Sequence, residues 1–341
     1  MKKLIVLFLG ILLCANSCSV TKGQGQGKTP FMTREFQASS IREVEVSTTG
    51  GSLNLAGDAG SKAVVEVYVS RDNWSNEKIK QFINEYYTLD IKVENGKLYA
   101  VAKQKKNTSQ GLSISFKVSV PKQVNSNLHT SGGSIRISNL SGSQNFKTSG
   151  GSLAIENASG KITGATSGGS INVTGSKDNI DLKTSGGSIT AKDCGGNINL
   201  GTSGGSINLG NLTGNIHAAT SGGSITASNI NGTLITSTSG GSVKLDGISG
   251  NVDARTSGGN MDVKIKSTSA YVKLSNSGNL SLTLPAGKGY NLNVKASNKI
   301  ETSGLKDFRG RLENNRLEGT VGVGGAEINV KSSQRVWLSF E

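Results

Sequence analysis

The sequence predicts an all-β fold: a parallel β-solenoid, in the form of a single-stranded β-helix or flattened β-roll, with rungs of 18 residues. A T-S-G-G-[S/N]-apolar motif recurs every 18 residues, and nearly every copy is followed by two short runs of alternating apolar and polar residues. Glycine accounts for 47 of 341 residues and aromatics for only 5%. This composition suits a solenoid, in which each rung buries apolar side chains only against its neighbours. The eight motifs begin at Thr130, Thr148, Thr166, Thr184, Thr202, Thr220, Thr238 and Thr256.

Each rung is predicted to contain two strands joined by two corners. With the motif threonine as position 1, apolar residues occupy positions 6 and 8 and, less strictly, positions 15 and 17, so both strands turn an apolar face inward. Small residues at positions 8 and 17, such as Ala191 and Ala218, indicate a narrow interior between two sheets. Cys194, at position 11, is expected to be a small buried hydrophobe. Eight rungs at about 4.8 Å give a rod of roughly 38 Å.

The paired glycines of the motif, such as Gly186 with Gly187 and Gly204 with Gly205, are expected to form corners. Glycine adopts a positive φ without steric cost, and nearby Thr and Ser hydroxyls can bond the turn backbone. A phosphate-binding loop would need a strand followed by a helix, and no glycine run in this sequence has that context. The glycines are therefore interpreted as structural.

Residues 1–17 have the pattern of a bacterial signal peptide. Two lysines precede an apolar run of ten residues, which is too short to span a bilayer. Ala15 and Ser17 before Cys18 resemble a lipobox, in which the cysteine carries lipid and becomes the mature N-terminus, although Leu is usual in place of Ala15. We therefore expect Cys18 to anchor the chain to a membrane, with simple secretion as the alternative. Residues 18–30 are expected to form a flexible tether.

Less regular strands flank the repeats. Residues 31–127 contain an early copy of the motif, G-G-S-L-N-L, and a segment over residues 74–87 whose apolar residues recur at helical spacing. This segment predicts one short amphipathic helix that covers the open end of the first rungs. The regular solenoid is expected over residues 128–273. Beyond it the strict period breaks, and residues 274–341 are expected to form irregular rungs and the distal cap.

The chain is basic, with 37 Lys and Arg against 23 Asp and Glu and a formal net charge of +14. Such a charge is either a solvated surface that keeps the rod soluble or a surface that faces lipid headgroups, envelope phosphates or acidic glycans. Nucleic acid is not an expected partner, because no aromatic side chains alternate with the basic ones to stack on bases. Four basic residues occupy position 18 of their rungs and are predicted to form an interrupted anion-facing column: Lys147, Lys183, Arg255 and Lys273.

Several motifs together resemble the bacterial adhesin-like family of unknown function called DUF4097 or Toastrack. They are the early G-G-S-L-N-L, the strand end V-P-K at residues 120–122, the serial T-S-G-G-S-I rungs entered at Leu128, and the closing G-x-G-G-x-x-I-N-V before Lys331. The resemblance covers residues 31–338. It implies a β-helix-like fold in a cell-envelope protein, with adhesion or envelope-stress sensing as the role proposed for relatives, and it brings no catalytic residues.

The residues do not indicate an enzyme or a metal site. The two histidines, His129 and His217, are expected on the outside about five rungs apart, without an acid and a nucleophile nearby. The aspartates do not recur at a fixed rung position. They therefore form neither the carboxylate pair of a glycoside hydrolase nor the regular ligands of a calcium-filled β-roll, which also has about 18 residues per turn. We expect no catalytic residues, no metal and no cofactor.

The predicted function is that of a non-catalytic cell-envelope lipoprotein, periplasmic or surface-exposed, whose solenoid serves as a binding or scaffold surface. Its ligand would be a glycan, the cell wall or an envelope protein. Two alternatives stay open. One is envelope-stress sensing through a membrane protein partner, and the other is an atypical β-helix enzyme that acts on polysaccharide.

Overall fold

The computed structural model describes residues 29–58, 60–71, 73–106, 108 and 110–341. The predicted signal peptide, Cys18 and all but the last two residues of the predicted tether lie outside this part of the chain. Of these residues 65% are in strands and 5% in helices, and most strands pair in parallel as repeated rungs. The predicted β-solenoid is therefore confirmed.

The N-terminal region is a mixed parallel and antiparallel arrangement. A single 3-10 turn, Ala38–Ser40, follows its first strand. Seven strands and one α-helix run in chain order as β1 Met32–Gln37, β2 Glu43–Ser47, β3 Leu53–Asp58, β4 Lys62–Ser70, α1 Asn76–Tyr86, β5 Tyr87–Glu94, β6 Lys97–Gln104 and β7 Ser113–Pro121.

The repeats form the central rungs. In the first rungs the two strands are separate, and from β17 onward they merge into one long bent strand per rung. The strands are β8 Asn125–His129, β9 Ile135–Ser138, β10 Ser141–Lys147, β11 Leu153–Glu156, β12 Ser159–Thr166, β13 Ile171–Thr174, β14 Lys177–Thr184, β15 Ile189–Lys192, β16 Gly195–Thr202, β17 Ile207–Thr220, β18 Ile225–Thr238, β19 Val243–Thr256 and β20 Met261–Asn276.

The C-terminal region completes the rod with seven shorter strands. They are β21 Leu280–Leu284, β22 Tyr290–Ala296, β23 Ile300–Ser303, β24 Phe308–Leu312, β25 Arg316–Val321, β26 Ala326–Ser332 and β27 Val336–Phe340.

Two sheets enclose a thin apolar core. Face A consists of the strand that follows each T-S-G-G corner (β9, β11, β13, β15 and the first halves of β17 to β20), and face B consists of the strand that precedes the next corner. Rungs stack in parallel with a shift of 18 residues, so that Ile162 lies beside Ile180 and Ile180 beside Ile198. All three side chains are buried, as are the position 6 and 8 side chains of face A. The predicted inward columns are confirmed.

The second glycine of each T-S-G-G motif is required for close approach, and neither glycine is required for a positive φ, which corrects the sequence-based expectation. None of these motif glycines, all of which the structure describes, has a positive φ. A Cβ on Gly187 would lie 2.1 Å from the carbonyl oxygen of Gly169 in the preceding rung, and a Cβ on Gly205 would lie 2.1 Å from that of Gly187. Positive φ occurs instead at the opposite corner, positions 10 to 13, for example at Asn211 (φ 56°) and Gly214 (φ 118°).

The motif threonine joins consecutive rungs. The Thr202 hydroxyl accepts a hydrogen bond from the Gly205 N–H in its own rung at 3.3 Å and donates one to the Gly187 carbonyl in the preceding rung at 2.8 Å. The donated bond recurs at 2.7 to 2.8 Å from Thr130 through Thr256. The T-S-G-G corner is therefore a ladder of hydroxyl bridges along the rod.

The first and last rungs of the chain do not lie at the ends of the rod. β2 pairs in parallel with both β6 and β8, and β3 with both β7 and β9. At the other end β26 lies between β20 and β22, and β27 between β21 and β23. The corner bridges follow this spatial order, since Thr48 donates to Ile114 of β7 and Ser332 to Gly278. Both inserted rungs are thus held by neighbours on two sides.

Antiparallel strands cover the two ends. β5 pairs with β6, β4 with β7, and β1 with β4, while β22, β25 and β24 form an antiparallel ribbon at the distal end. The strands of this ribbon, and not the last two strands of the chain, lie outermost on face B at the distal end. These pairings cover the outer edges of β6, β7 and β22 with antiparallel strands.

The predicted amphipathic helix is α1, and it packs beside β5. Ser75 caps its N-terminus by accepting a hydrogen bond from the Lys78 N–H at 3.3 Å. Ile79 and Ile83 are buried against the core. No helix in the described part of the chain combines the length and apolarity that crossing a membrane requires.

Cys194 is buried in the core, as predicted, with 4% of its surface exposed. Burial raises the pKa of its thiol above the usual value. Because the thiolate is the reactive form, we expect the Cys194 thiol of the folded protein to resist iodoacetamide at pH 8 and to react readily after unfolding in guanidinium. Mass spectrometry of the peptide that contains Cys194 measures this. Rapid labelling of the native protein would contradict the buried position.

Candidate ligand-binding face

The outward side chains of face B form three straight columns, because alternate residues of a strand point outward and the rungs stack in register. Columns 14, 16 and 18 are named after the rung positions of their residues. In the rung of β16 these are Asn197, Asn199 and Gly201, and in the rung of β17 they are Asn215, His217 and Ala219. The columns give a flat polar surface along the rod.

Amide side chains bond one another along columns 14 and 16 in the central rungs. The Asn215 side chain donates to Asn197 at 3.1 Å. The Asn199 amide donates to the Asp181 carboxylate at 2.9 Å, which leaves the Asn199 carbonyl oxygen to accept from His217 Nδ1 at 3.0 Å. These side chains are largely engaged with each other, so this stretch is a rigid ladder.

The predicted basic column is sparse in the central rungs. Lys147 and Lys183 lie in column 18 two rungs apart, and Arg255 follows four rungs after Lys183, about 19 Å away. Lys183 lies 3.4 Å from Asp181. Arg255 donates to both oxygens of the Asp253 carboxylate at 3.0 Å, and this pair raises the pKa of Arg255.

Lys273 does not belong to column 18, which corrects the sequence-based assignment. It lies beside Asp253 in column 16, and Ser275 lies beside Arg255 instead. The cause is a register shift in β20, where the segment between Thr268 and Val272 holds two residues more than its counterpart between Gly250 and Val252 in β19. The 18-residue spacing alone therefore assigned Lys273 to column 18, whereas it lies in column 16.

A shallow cleft of about 420 Å³ lies on face B at the distal end. It is called the distal cleft here and is lined chiefly by Arg255, Lys273, Asn293, Lys295, Asn329 and Lys331. The repeat spacing did not identify Asn293, Lys295, Asn329 and Lys331 as site residues, because β22 and β26 lie outside the repeats in the sequence. Two identical N-V-K triplets, at residues 293–295 and 329–331, are the sequence signal that could have found them.

The other side chains that could take part in catalysis or metal binding lie far apart. His129 lies in column 18 and His217 in column 16, and both are exposed. In the described part of the chain, no group of three or more His, Cys, Asp or Glu side chains is placed to hold a metal ion. The glycine N–H groups at the corners are already bonded within the rod, as Gly204 N–H donates to the Ser185 carbonyl at 2.9 Å.

Three solved structures of adhesin-type proteins are similar to this chain. A putative cell adhesion protein from Clostridium sporogenes ATCC 15579 has 10% identity, with 91% of this chain and 98% of that chain covered and a TM-score of 0.21. A putative adhesin from Bacteroides fragilis NCTC 9343 has 14% identity, 71% and 96% coverage and a TM-score of 0.25. A putative adhesin from Parabacteroides distasonis ATCC 8503 has 13% identity, 92% and 98% coverage and a TM-score of 0.28.

Likenesses with TM-scores this low carry no argument about function. No family model matches the chain, and no curated protein matches it significantly. The resemblance to the DUF4097 or Toastrack family therefore stays a prediction from the sequence motifs.

Proposed function

We propose that this chain is a non-catalytic binding protein of the bacterial cell envelope, an adhesin of the DUF4097 or Toastrack kind that is tethered by lipid at Cys18. Its ligand is an extended envelope polymer, a glycan or the cell wall. The observation that carries the proposal is the outer surface of face B, where polar columns run straight across the rungs. A flat surface with a repeat of about 4.8 Å presents the same groups again and again along one direction, which suits an extended chain better than a compact small molecule.

The hydrogen bonds and ion pairs of two face B carboxylates, Asp181 and Asp253, support a binding role. Asp181 accepts a hydrogen bond from Asn199 and lies beside Lys183, while Asp253 is held by Arg255. Each carboxylate is thus bonded within the face and does not oppose a second carboxylate across a cleft, as glycoside hydrolysis would require.

The net charge of +14 also supports an anionic polymer as the ligand. We expect the purified protein to be retained on peptidoglycan or acidic envelope glycans at about 0.01 M salt and to be released at about 1 M salt. The reason is that the Debye length falls from about 30 Å to about 3 Å over this range. Cosedimentation measures retention, and chromatography of the supernatant detects any product.

Each outcome of that experiment decides between the candidate functions. Retention without product supports the binding role. Release of shortened saccharides would replace it with the polysaccharide-acting enzyme. Failure to bind any polymer, combined with crosslinking to one membrane protein in cells, would replace it with envelope-stress sensing.

A further inference from the structure

The distal cleft brings four basic side chains together, Arg255 and Lys273 from the repeats and Lys295 and Lys331 from the C-terminal region, with Asp253 as the one carboxylate among its described lining residues. Column 18 continues beyond Arg255 through Ser275 and Lys331 to Lys295, because β26 is inserted between β20 and β22. Ser275 is the small residue of this series, and its place between Arg255 and Lys331 leaves the cleft open. Lys273 borders the cleft from column 16.

Two of the four cations have no ion pair among the described residues. Arg255 is paired with Asp253, and Lys295 lies 3.8 Å from Glu318. Lys331 and Lys273 have no carboxylate within ion-pair distance in the described part of the chain, although Lys273 Nζ lies 4.8 Å from the centre of the Tyr271 ring. Both side chains are exposed. Their ammonium groups can therefore bind an external anion without first breaking an ion pair.

The amides of the distal cleft also differ from those of the central ladder. Asn293 and Asn329 are neighbours in column 16, beside Lys273, yet within the described chain neither side chain makes a hydrogen bond. Asn291, one column away, is by contrast bonded to Glu327 and to the Gly325 carbonyl. Two amides, each with a donor and an acceptor, thus face the same opening as the two unpaired lysines.

We propose that the distal cleft binds a saccharide that carries carboxylate groups. Lys273 and Lys331 bind the carboxylates, and Asn293 and Asn329 exchange hydrogen bonds with the sugar hydroxyls. Charge-assisted bonds to carboxylate are the stronger contribution, while the amides distinguish a sugar from a simple anion. The inference deepens the proposed binding role and rests on it, since it names the ligand class of the same face.

The test is a titration of the full protein with an oligomer of galacturonic acid and with its neutral methyl ester, at about 0.01 M salt, where charges are weakly screened. The lysine variant, Lys273→Gln with Lys331→Gln, is expected to bind the acid oligomer at least about tenfold more weakly, because it loses two charge-assisted contacts. The control, Lys244→Gln with Lys264→Gln, removes the same charge from exposed positions on face A and is expected to bind like the unmodified protein.

A third variant, Asn293→Ala with Asn329→Ala, tests the saccharide part of the inference. It is expected to lose affinity for the acid oligomer while its weak affinity for inorganic phosphate is unchanged. An equal loss of oligomer binding in the lysine variant and the face A control would overturn the inference, as would equal binding of the methyl ester. Phosphate that competes as well as the oligomer would show a simple anion site and would also overturn it.

Failure of this inference can be told apart from failure of the proposed function. A protein that is retained on envelope polymers but does not bind the acid oligomer in the distal cleft contradicts only the inference. A protein that is retained on none of them contradicts both. Circular dichroism and the melting temperature of each variant establish that the exposed substitutions leave the rod folded.

Discussion

Replacement of Gly205 with alanine is expected to lower the free energy of unfolding by about 3 kcal/mol or more. The new Cβ would lie 2.1 Å from the carbonyl oxygen of Gly187, 2.4 Å from its carbonyl carbon and 2.6 Å from the Ser188 nitrogen. All three are backbone atoms of the preceding rung, so no side-chain rotation relieves the contact. The rungs have to separate at this corner, which weakens the parallel hydrogen bonds on both faces.

Gly204→Ala is the matched control. Its Cβ would lie 3.5 Å from the nearest atoms, the carbonyl oxygens of Gly186 and Ser185, which is ordinary van der Waals contact. Both substitutions restrict the unfolded chain to the same extent, and because neither glycine has a positive φ, alanine does not strain the backbone at either position. Urea unfolding followed by circular dichroism measures the difference. If the two variants lost the same stability to within about 0.5 kcal/mol, close approach would not be the reason for the glycine.

Much of the rod could be predicted from the sequence because its period reports contacts between neighbours. A constant shift of 18 residues places Ile162 beside Ile180 and Ile198, and alternation decides which side chains face inward. The early G-G-S-L-N-L motif likewise belongs to a rung, formed by β2 and β3. These are local or next-rung relationships, which repeat spacing encodes directly.

The order of the rungs at the two ends is not encoded in that way. The β2–β3 rung could stack on either side of β6–β7 with the same burial pattern, and the choice depends on contacts between distant parts of the chain. Lys273 illustrates the same limit on a smaller scale, since two extra residues in a corner moved it from column 18 to column 16. The distal cleft depends on both effects, which is why only Arg255 and Lys273 of its lining were candidates from the sequence.

The sequence also could not predict why the T-S-G-G corner requires glycine. A pair of glycines that recurs at the same corner of every rung is compatible with either a positive φ or a close approach. Only the separation of adjacent rungs, which brings the Gly187 carbonyl to the place of a Gly205 Cβ, distinguishes the two. The positive φ values belong to the opposite corner, where Asn211 and Gly214 are spaced less conspicuously.

Replacement of Thr202 with valine is expected to lower the free energy of unfolding by about 2 kcal/mol. Valine has nearly the same shape, but it removes the hydroxyl that accepts from the Gly205 N–H and donates to the Gly187 carbonyl. Thr202 is buried, so the two backbone groups lose their partner where water does not readily replace it. Urea unfolding of the variant beside the unmodified protein measures the loss.

Thr236→Val makes the same chemical change at a site where the opposite sign is expected. Thr236 is 1% exposed and its hydroxyl has no hydrogen-bond partner. Removal of a buried hydroxyl without a partner lowers a desolvation cost, so this variant should gain about 1 kcal/mol of stability. Both substitutions remove a buried hydroxyl, which bridges two rungs at Thr202 and has no partner at Thr236. A Thr202→Val variant as stable as the unmodified protein would show that the corner bridges do not stabilise the rod, whereas opposite signs in the two variants would identify the bridges as the interaction that the T-S-G-G motif supplies.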